Sequence, residues 1–333
     1  MATIKEIARI AGVSTATVSN VIHGNMGKVS PEKLAEIQVL LDRFRYVKKL
    51  GLSHLQNAGS RIICLVINAV KTYENSIFAD PFYGQIMGEA ERLLQEKDYY
   101  LMLYVSASID DIFRTVAAWN IDGIIAISFR SADCGKLQRL TEKPVVSIDI
   151  TGKASNRFVN VGVEDFEGGY LMTRHLITRG YEDILLFANK DFGIEHERWL
   201  GYRKALEEGG IPSDSGQYVF VSTEREKRLS QYKALLPRLK KGAALFFLSD
   251  FYAIEGIGFL AQNDVAVPED VGVAGFDDTV YSRLSVPPLT TVHQDFSQKA
   301  AIAVEQLLLL IDGGTPSCRD IRLPVELVIR EST

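Results

Sequence analysis

Apolar residues close to the start of the chain recur at the spacing of a helix. Between residues 4 and 11 they follow the i, i+3, i+4, i+7 rhythm that predicts a short amphipathic helix. Gly12 should end that helix, because glycine adopts the left-handed turn conformation without steric cost. Ser14 can then cap a second helix, whose buried side would be formed by Val18 and Val21. Two short helices joined by a glycine turn form a helix-turn-helix.

A third helix is predicted shortly afterwards. Ser30 is a suitable N-cap, and Pro31 occupies the first helical position, where its missing N–H costs nothing. Apolar residues between Leu34 and Phe44 form a stripe that can close a small three-helix core. We therefore expect an all-α domain over residues 1–47, followed by a linker over residues 48–60.

From Arg61 onward the pattern changes to continuous apolar runs of strand length. Such runs are typical of parallel strands that are covered on both faces. Amphipathic segments such as Phe166–Thr178 lie between them, and this alternation predicts an open, doubly wound α/β sheet. Nine runs are too many for one small sheet, so we expect two similar subdomains within residues 61–333. The runs are Ile62–Ile67, Tyr100–Val105, Gly123–Ile127, Val145–Ile150, Phe158–Val163, Ile184–Phe187, Tyr218–Val221, Ala243–Leu248 and Val271–Phe276.

The charge of the chain is divided unevenly between these parts. The net charge of −5 combines +4 over residues 1–60, from eight Lys/Arg and four Asp/Glu, with −9 over the remainder. A small basic domain on an acidic body is typical of a protein that binds DNA through the small domain. No apolar run reaches the length of a membrane span and the start is unlike a signal peptide, so we expect a cytoplasmic protein without membrane contact. Cys64, Cys134 and Cys318 lack metal or disulfide spacing.

The outward residues of the second helix suit contact with DNA. In a helix-turn-helix this helix enters the major groove, and here its outer side chains are short and uncharged. Asparagine can bond an adenine edge through two hydrogen bonds, and Ala and Thr methyl groups can touch a thymine methyl. An ordinary helical hairpin with a polar surface is the alternative interpretation. The outward residues are Thr15, Ala16, Thr17, Ser19, Asn20 and His23.

The order of residues in this segment resembles the N-terminal signature of the lactose/galactose repressor (LacI/GalR) family. The likeness covers Ile4–Ala8 and Ala11-Gly12-Val13-Ser14-x-x-Thr17-Val18-Ser19, and it continues at Val29–Glu32 and Tyr46. The resemblance implies a transcriptional regulator, a repressor, that binds pseudo-palindromic double-stranded operator DNA as a homodimer. The resemblance also implies four further contacts with the operator, at Thr3, Ser14, Ser30 and Leu55.

The linker matches the family only in part. In the family this segment becomes a helix on operator DNA, and leucines from two subunits open the minor groove. Leu55 occupies the leucine position, but Lys48 and Lys49 replace a Pro-Asn pair and Leu52-Ser53 replaces Ala-Arg. Gly51 weakens a helix by roughly 1 kcal/mol, so we expect the linker to be disordered without DNA. A plain flexible linker is the alternative interpretation.

For the remainder of the chain, the resemblance implies two subdomains like those of periplasmic sugar-binding proteins, with three chain crossings between them. We place the crossings near Gly162, Thr291 and Ile321. The first subdomain would then cover about 61–161 and 292–320, and the second about 162–291 and 321–333.

Ligands of such sheets bind at the carboxyl ends of the strands, which here means the cleft between the subdomains. Carboxylates and an arginine fork can hold adjacent hydroxyls, and aromatic faces can pack on a sugar ring. Each such residue alone is more common as a cap, turn or core residue, but their order matches pocket segments of the family. Asp165-Phe166 departs from the family's Asp-Asn pair, which leaves open how the first crossing is braced. We expect a sugar or sugar derivative at Phe82, Tyr83, Asp149, Arg198, Ser249, Asp250, Asp277, Gln294 and Phe296.

Catalytic motifs are missing from the sequence. It has no Walker loop, G-x-S-x-G elbow, H-E-x-x-H or paired C-x-x-C, and its histidines lack metal-ligand spacing. We therefore predict an allosteric regulator with no catalytic residue, metal or cofactor. An α/β enzyme with an added DNA-binding domain and a cytoplasmic sugar-binding protein are the alternatives. The last residues carry no leucine heptad, so a tetramer built by a coiled coil is not expected.

Overall fold

The structure is a computed structural model, and it describes residues 3–22, 29–44, 59–69, 76–212 and 217–333. The chain divides into two compact units, Met1–Ser60 and Arg61–Thr333. Within the ranges just given, no helix combines the length and the apolar composition that a membrane span requires. His23 and most of the linker, including Leu55, lie outside the described residues, so the predictions made for them are not addressed by the structure.

The first unit contains three helices, which are α1 (Ile4–Ala11), α2 (Thr15–Ile22) and α3 (Pro31–Arg43). Thr3 and Glu6 form a reciprocal capping box at the start of α1, in which the Thr3 N–H donates to Glu6 Oε2 at 2.7 Å. Gly12 ends α1 with a φ of 64°, as only glycine does without strain. Ser14 Oγ accepts the Thr17 N–H at 3.0 Å and so caps α2. The predicted helix-turn-helix is confirmed.

An apolar cluster joins the three helices of this unit. Lys33 adds a polar contact, because its Nζ donates to the Ala11 carbonyl at 2.7 Å, where α1 ends with unpaired backbone acceptors. These contacts fix α3 against α1 and leave the outer surface of α2 uncovered within the described part of the unit. The buried residues of the cluster are Ile7, Ala8, Ala11, Val18, Val21, Ile37 and Leu40.

The second unit contains two sheets of six strands each. The strands of the first sheet are β1 (Ile62–Asn68), β2 (Tyr100–Ser106), β3 (Gly123–Ile127), β4 (Val145–Ile148), β5 (Val159–Val163) and β11 (Asp320–Leu323). Those of the second are β6 (Asp183–Ala188), β7 (Tyr218–Phe220), β8 (Ala243–Phe247), β9 (Val271–Asp277), β10 (Thr290–His293) and β12 (Glu326–Val328). Their spatial orders are β11-β5-β4-β3-β1-β2 and β12-β10-β9-β8-β6-β7. β12 runs antiparallel to β10, and the other pairs are parallel.

Helices cover both faces of each sheet. The first sheet packs with α4 (Pro81–Gln95), α5 (Ile109–Ala118), α6 (Ser131–Thr141) and α12 (Phe296–Ile311). The second packs with α7 (Asp165–Thr178), α8 (Ile194–Glu208), α9 (Arg225–Leu235) and α10 (Asp250–Ala261), and the short helix α11 (Val280–Leu284) contacts α10. Each sheet has a separate apolar cluster on either face, and every residue of β3 and β8 is buried. The prediction of two doubly wound parallel-sheet subdomains is confirmed.

The chain passes between the two sheets three times. It leaves the first sheet after β5 and enters α7 at Asp165, and it returns between His293 and Phe296. It passes once more between Leu323 in β11 and Glu326 in β12. Each crossing lies a few residues beyond the position predicted from the sequence, so Ile321 belongs to the first sheet and Thr291 to the second.

Three strands of the second unit are not among the nine predicted runs. β10, β11 and β12 are only three or four residues long and carry Thr, Asp, Arg or Glu. In β10 the buried polar groups are paired, since Thr291 Oγ1 donates to the Asp250 carboxylate and Thr290 N–H donates to Ser332 Oγ at 2.8 Å. A search for apolar runs misses such a strand, because its burial depends on hydrogen bonds to distant residues.

We predict opposite effects for alanine at two helical glycines. A Cβ on Gly201 in α8 would lie 1.9 Å from the Phe166 carbonyl oxygen of α7, whereas one on Gly258 in α10 would meet nothing within 4 Å. Gly201→Ala should lower the free energy of unfolding by about 1–3 kcal/mol or more through overpacking. Gly258→Ala should raise it by roughly 0.5–1 kcal/mol through helix propensity. Urea unfolding of the full chain measures both, and a neutral Gly201→Ala would contradict the close approach of α7 and α8.

Candidate functional site

The exposed side of α2 is the first candidate site. Of the residues expected at DNA, Thr3, Ser14, Thr15, Ala16 and Ser30 are exposed, and Thr17, Ser19 and Asn20 are half-buried. Ser14 and Thr17 share a hydrogen bond of 2.9 Å between their hydroxyls, so both already serve the cap of α2. The first turn of a helix carries unpaired N–H groups that favour a phosphate. The outer surface therefore offers an anion-binding end together with side chains of base-reading chemistry at Thr15, Ala16 and Asn20.

The second candidate site is a cleft of about 450 Å³ in the larger unit. It is formed where parallel strands of both sheets end, because β1, β3 and β4 contribute from one side and β6, β8 and β9 from the other. Its lining includes seven residues that we expect at a ligand from the sequence, namely Phe82, Tyr83, Asp149, Arg198, Ser249, Asp277 and Gln294. Their contact with a ligand stays a prediction, but they do share one cavity.

Two other expected residues, Asp250 and Phe296, lie outside the cleft lining, and their contact with a ligand also stays a prediction. Asp250 is completely buried, because its carboxylate accepts the Thr279 N–H at 2.8 Å and hydrogen bonds from the Thr279 and Thr291 hydroxyls. It therefore ties the turn after β9 to β10. Phe296 is 4% exposed and packs edge-on against Phe82, with ring centroids 5.6 Å apart. Phe296 therefore packs against Phe82 without lining the cleft itself.

Backbone strain is concentrated at the strand ends that form the cleft. Ser128, Asp149 and Asp277 have positive φ values of 63°, 53° and 125°. Residues other than glycine adopt this region at a cost, which surrounding contacts must offset. At Asp277 such a contact is present, since Gln294 Nε2 donates to its carboxylate at 2.7 Å. All three residues lie at the ends of strands and line the cleft.

The guanidinium of Arg198 at the cleft wall has three contacts that fix its position. Its Nε donates to Asp165 Oδ1 at 2.9 Å, its Nη1 donates to the Leu248 carbonyl at 2.8 Å, and its guanidinium lies 3.5 Å from the centroid of the Phe276 ring. Burial raises the pKa of the Asp165 carboxyl to about 6, even though Arg198 opposes that shift. Because Asp165 is the first residue of α7, this ion pair braces the first crossing.

A second group of buried charges lies beneath the other side of the cleft. Lys299 Nζ donates to both oxygens of Asp149, at 3.0 and 2.9 Å, and to Gln294 Oε1 at 2.7 Å. Burial raises the pKa of the Asp277 carboxyl to about 6, against the opposing effects of Arg198, Gln294 and Lys299. The cleft floor thus contains carboxylates whose charge is compensated by cations from α8 and α12.

Asp80 lies on the cleft wall and caps α4 by accepting the Phe82 N–H at 2.9 Å. Burial, followed by the nearby Asp277 carboxylate, raises the pKa of the Asp80 carboxyl to about 7. Asp80 belongs to the first subdomain and Asp277 to the second. The two carboxylates therefore repel one another across the cleft when both are ionised.

Several residues that line the cleft are not among the ligand contacts expected from the sequence. Asn68 ends β1, and Ser128 and Asn189 directly follow β3 and β6, so the rule of strand carboxyl ends could have identified all three. Arg130, Thr151, Lys190 and Glu195 come from the loops and helix starts that follow. Lys299 gave no signal in the sequence, since a lysine on an amphipathic helix is ordinarily exposed.

Comparisons with known proteins match this arrangement along the chain. Residues 3–48 match the family model "Bacterial regulatory proteins, lacI family", and residues 173–333 match a periplasmic binding protein-like domain. The HTH-type transcriptional repressor PurR of Actinobacillus pleuropneumoniae serotype 3 is 29% identical over 340 residues, which cover 100% of this chain and 98% of PurR. A solved complex of the transcriptional regulator CelR with cellobiose is 26% identical, covers 100% of both chains and has a TM-score of 0.74. A Lac repressor dimer bound to operator and an anti-inducer is 20% identical, with a TM-score of 0.85 over 99% of this chain and 98% of that one.

The raised pKa of Asp80 gives a pH prediction. A carboxyl whose folded pKa of about 7 exceeds its ordinary 3.8 binds its proton more tightly in the folded chain, so its contribution to stability falls as pH rises between these values. Asp80→Asn has no titrating carboxyl, so its stability lacks this decrease at high pH, and the asparagine side chain can still cap α4. The melting temperature of the variant relative to wild type should therefore be higher at about pH 8 than at about pH 5.

Asp110→Asn is the matched control for this prediction, because the Asp110 side chain is 77% exposed. Its effect on the melting temperature should be small and similar at both pH values. A pH-independent effect of Asp80→Asn would contradict the raised pKa.

Proposed function

The chain belongs to the lactose/galactose repressor (LacI/GalR) family, and on that premise we propose that it is a DNA-binding transcriptional repressor controlled by a small molecule. The observation that carries this proposal is the presence in one chain of a helix-turn-helix and a polar cleft between two parallel-sheet subdomains. We assign DNA binding to residues 1–47, the linker to residues 48–60, and ligand binding and dimerisation to residues 61–333.

Operator recognition follows from the helix-turn-helix. The protein binds double-stranded, pseudo-palindromic DNA as a homodimer, because two identical heads read two half-sites of opposite orientation. In each head α2 enters the major groove, where Thr15, Ala16 and Asn20 reach base edges. Thr3, Ser14 and Ser30 lie at helix starts and serve as contacts to phosphates, which set the register without reading sequence.

The ligand is a sugar or sugar derivative that occupies the cleft. Asp149 and Asp277 supply acceptors for hydroxyls, Arg198 supplies donors, and the rings of Phe82 and Tyr83 offer apolar faces. The two rings pack edge to face with centroids 5.1 Å apart, so they form one stable wall. The complex of CelR with cellobiose supports this ligand class.

Ligand binding changes operator affinity through the three crossings between the subdomains. Cleft residues lie on both subdomains, so a ligand that contacts both walls favours one angle between them. A difference in ligand affinity between two angles shifts their populations, and DNA affinity shifts with them. We further propose that the protein acts in the cytoplasm and binds its ligand without turnover, as the relatives named repressors and regulators suggest.

Binding-site selection from a random duplex library tests the proposed function. The full chain should enrich a two-fold symmetric consensus with half-sites about one helical turn apart. The fragment 61–333, a separate compact unit, is the control and should remain folded without enriching any sequence. Failure of the full chain to enrich a consensus, or enrichment of the same consensus by the fragment, would overturn the assignment.

We predict that Asn20 reads an A·T pair. Asparagine matches the donor and acceptor of adenine in the major groove, so Asn20→Ala should weaken binding to the selected duplex by roughly 1–3 kcal/mol and relax one position of each half-site. Fluorescence anisotropy with the selected duplex measures the loss, and a repeated selection identifies the position. Lys5→Ala, a change at a charged residue of α1, is a comparison that should weaken binding without changing the consensus. An unchanged consensus for Asn20→Ala would remove Asn20 from the base readers.

A further inference from the structure

Lys299 on α12 is a fully buried lysine beside the cleft. Its side chain has an exposed fraction of 0%, and its helix packs that face into the apolar cluster of the first subdomain. Its ammonium also lies 5.5 Å from the centroid of the Phe82 ring, a distance at which a cation and an aromatic face attract each other. A lysine buried to this degree needs partners for its charge.

The partners of Lys299 use its donors completely. An ammonium has three N–H donors, and three contacts at hydrogen-bond distance go to the two oxygens of Asp149 and to Gln294 Oε1. The contact with Lys299 also fixes the orientation of the Gln294 amide, because only its oxygen can face a cation. Its nitrogen is then directed to Asp277, to which it donates at 2.7 Å. The reverse orientation would bring N–H groups to the ammonium and an oxygen to the carboxylate.

These contacts form a continuous connection across the cleft. Asp149 and Lys299 belong to the first subdomain, Gln294 lies in the second crossing, and Asp277 ends β9 of the second subdomain. Asp149 and Asp277 both line the cleft, and both have positive φ. The connection therefore links two strained carboxylate residues on opposite walls through one buried cation.

Stability alone is a poor reason for this arrangement. Transferring a lysine and an aspartate from water into a protein interior costs several kcal/mol per ion, and a well-packed apolar residue of similar size often serves stability as well or better. What an apolar residue cannot do is orient a carboxylate and an amide. The role of Lys299 is thus to be sought in the geometry of the residues that it holds.

We propose that Lys299 is a positioning residue for the cleft, which fixes Asp149 directly and Asp277 through Gln294, and so couples the two subdomains. This inference rests on the proposed function in one respect, namely that the cleft is the ligand site. A ligand that contacts Asp149 and Asp277 would act on both ends of the same connection. The angle between the subdomains would then depend on Lys299, although Lys299 itself is not part of the cleft lining.

Hydrogen exchange followed by mass spectrometry tests the proposal on the full chain without DNA and without ligand. Lys299→Met keeps an unbranched side chain only one atom shorter, but it removes the ammonium group and with it the hydrogen bond to the Gln294 amide oxygen. Exchange should become roughly fivefold faster in peptides around residues 274–280 of the second subdomain, as expected for the loss of about one hydrogen bond. Peptides around residues 218–235 report on a distant part of the same subdomain and should not change.

Two further variants separate positioning from a purely structural role. Asp149→Asn/Lys299→Met removes the buried unpaired carboxylate, so it should recover most of the melting temperature that Lys299→Met loses. Exchange at residues 274–280 should stay fast in it, because methionine cannot hold the Gln294 amide. Lys204→Met, at an exposed lysine that pairs with Glu207 and Glu208, is the control and should leave both measurements unchanged.

The outcomes decide the proposal in either direction. Fast exchange at residues 274–280 in the double variant, together with a recovered melting temperature, supports it. Normal exchange there in the double variant overturns it, since Lys299 would then serve only to neutralise Asp149. If Lys299→Met does not fold, the double variant alone decides. A failed binding-site selection would overturn the proposed function, but it would leave this measurement of subdomain coupling unaffected.

Discussion

The second unit depends above all on the compensation of buried carboxylates where the two sheets face each other. Asp165 and Asp149 are 3% and 9% exposed, and an unpaired charge at either position would cost several kcal/mol. Arg198 and Lys299 supply the opposite charges, each within 3.0 Å. Asp165 begins the helix after the first crossing, and Lys299 donates to Gln294 in the second crossing. The ion pairs that neutralise the carboxylates therefore also hold the chain where it passes between the subdomains.

That constraint connects the packing of helices with the chemistry of the cleft. Glycines at the contact of α7 and α8 let the two backbones approach closely, and this approach carries the Arg198 guanidinium to Asp165 and to the Phe276 ring. The strand ends then direct Ser128, Asp149 and Asp277 into the cavity. A polyhydroxy ligand would meet acceptors that are already oriented, so little of its binding free energy would be lost in ordering side chains.

Local patterns in the sequence predicted the three helices of the first unit and nine of the twelve strands of the second, but not the buried polar contacts. The glycine turn, the capping serine and the apolar runs each depend on neighbours in the chain, and the structure has the helices and sheets that they predict. The rule of strand ends, together with the family resemblance, also indicated seven of the residues that line the cleft. The hydrogen bond between Lys299 and Asp149, however, joins residues 150 positions apart, and helix periodicity gives a lysine no reason to be buried. The complete burial of Asp250 was missed for the same reason, because it depends on hydrogen bonds to Thr279 and Thr291, which are distant in the sequence.

If occupation of the cleft is coupled to binding of the operator, calorimetry should detect that coupling as a difference in ligand affinity. The sugar or sugar derivative that raises the melting temperature most would be titrated into the free protein and into the protein saturated with its selected duplex. By linkage, the dissociation constants of the ligand for the free and for the DNA-bound protein must differ by a certain factor. It is the same factor by which the ligand changes operator affinity, typically about 5-fold to 150-fold. We expect such a difference between the free and the DNA-bound protein. Equal dissociation constants for the free and the DNA-bound protein would contradict it.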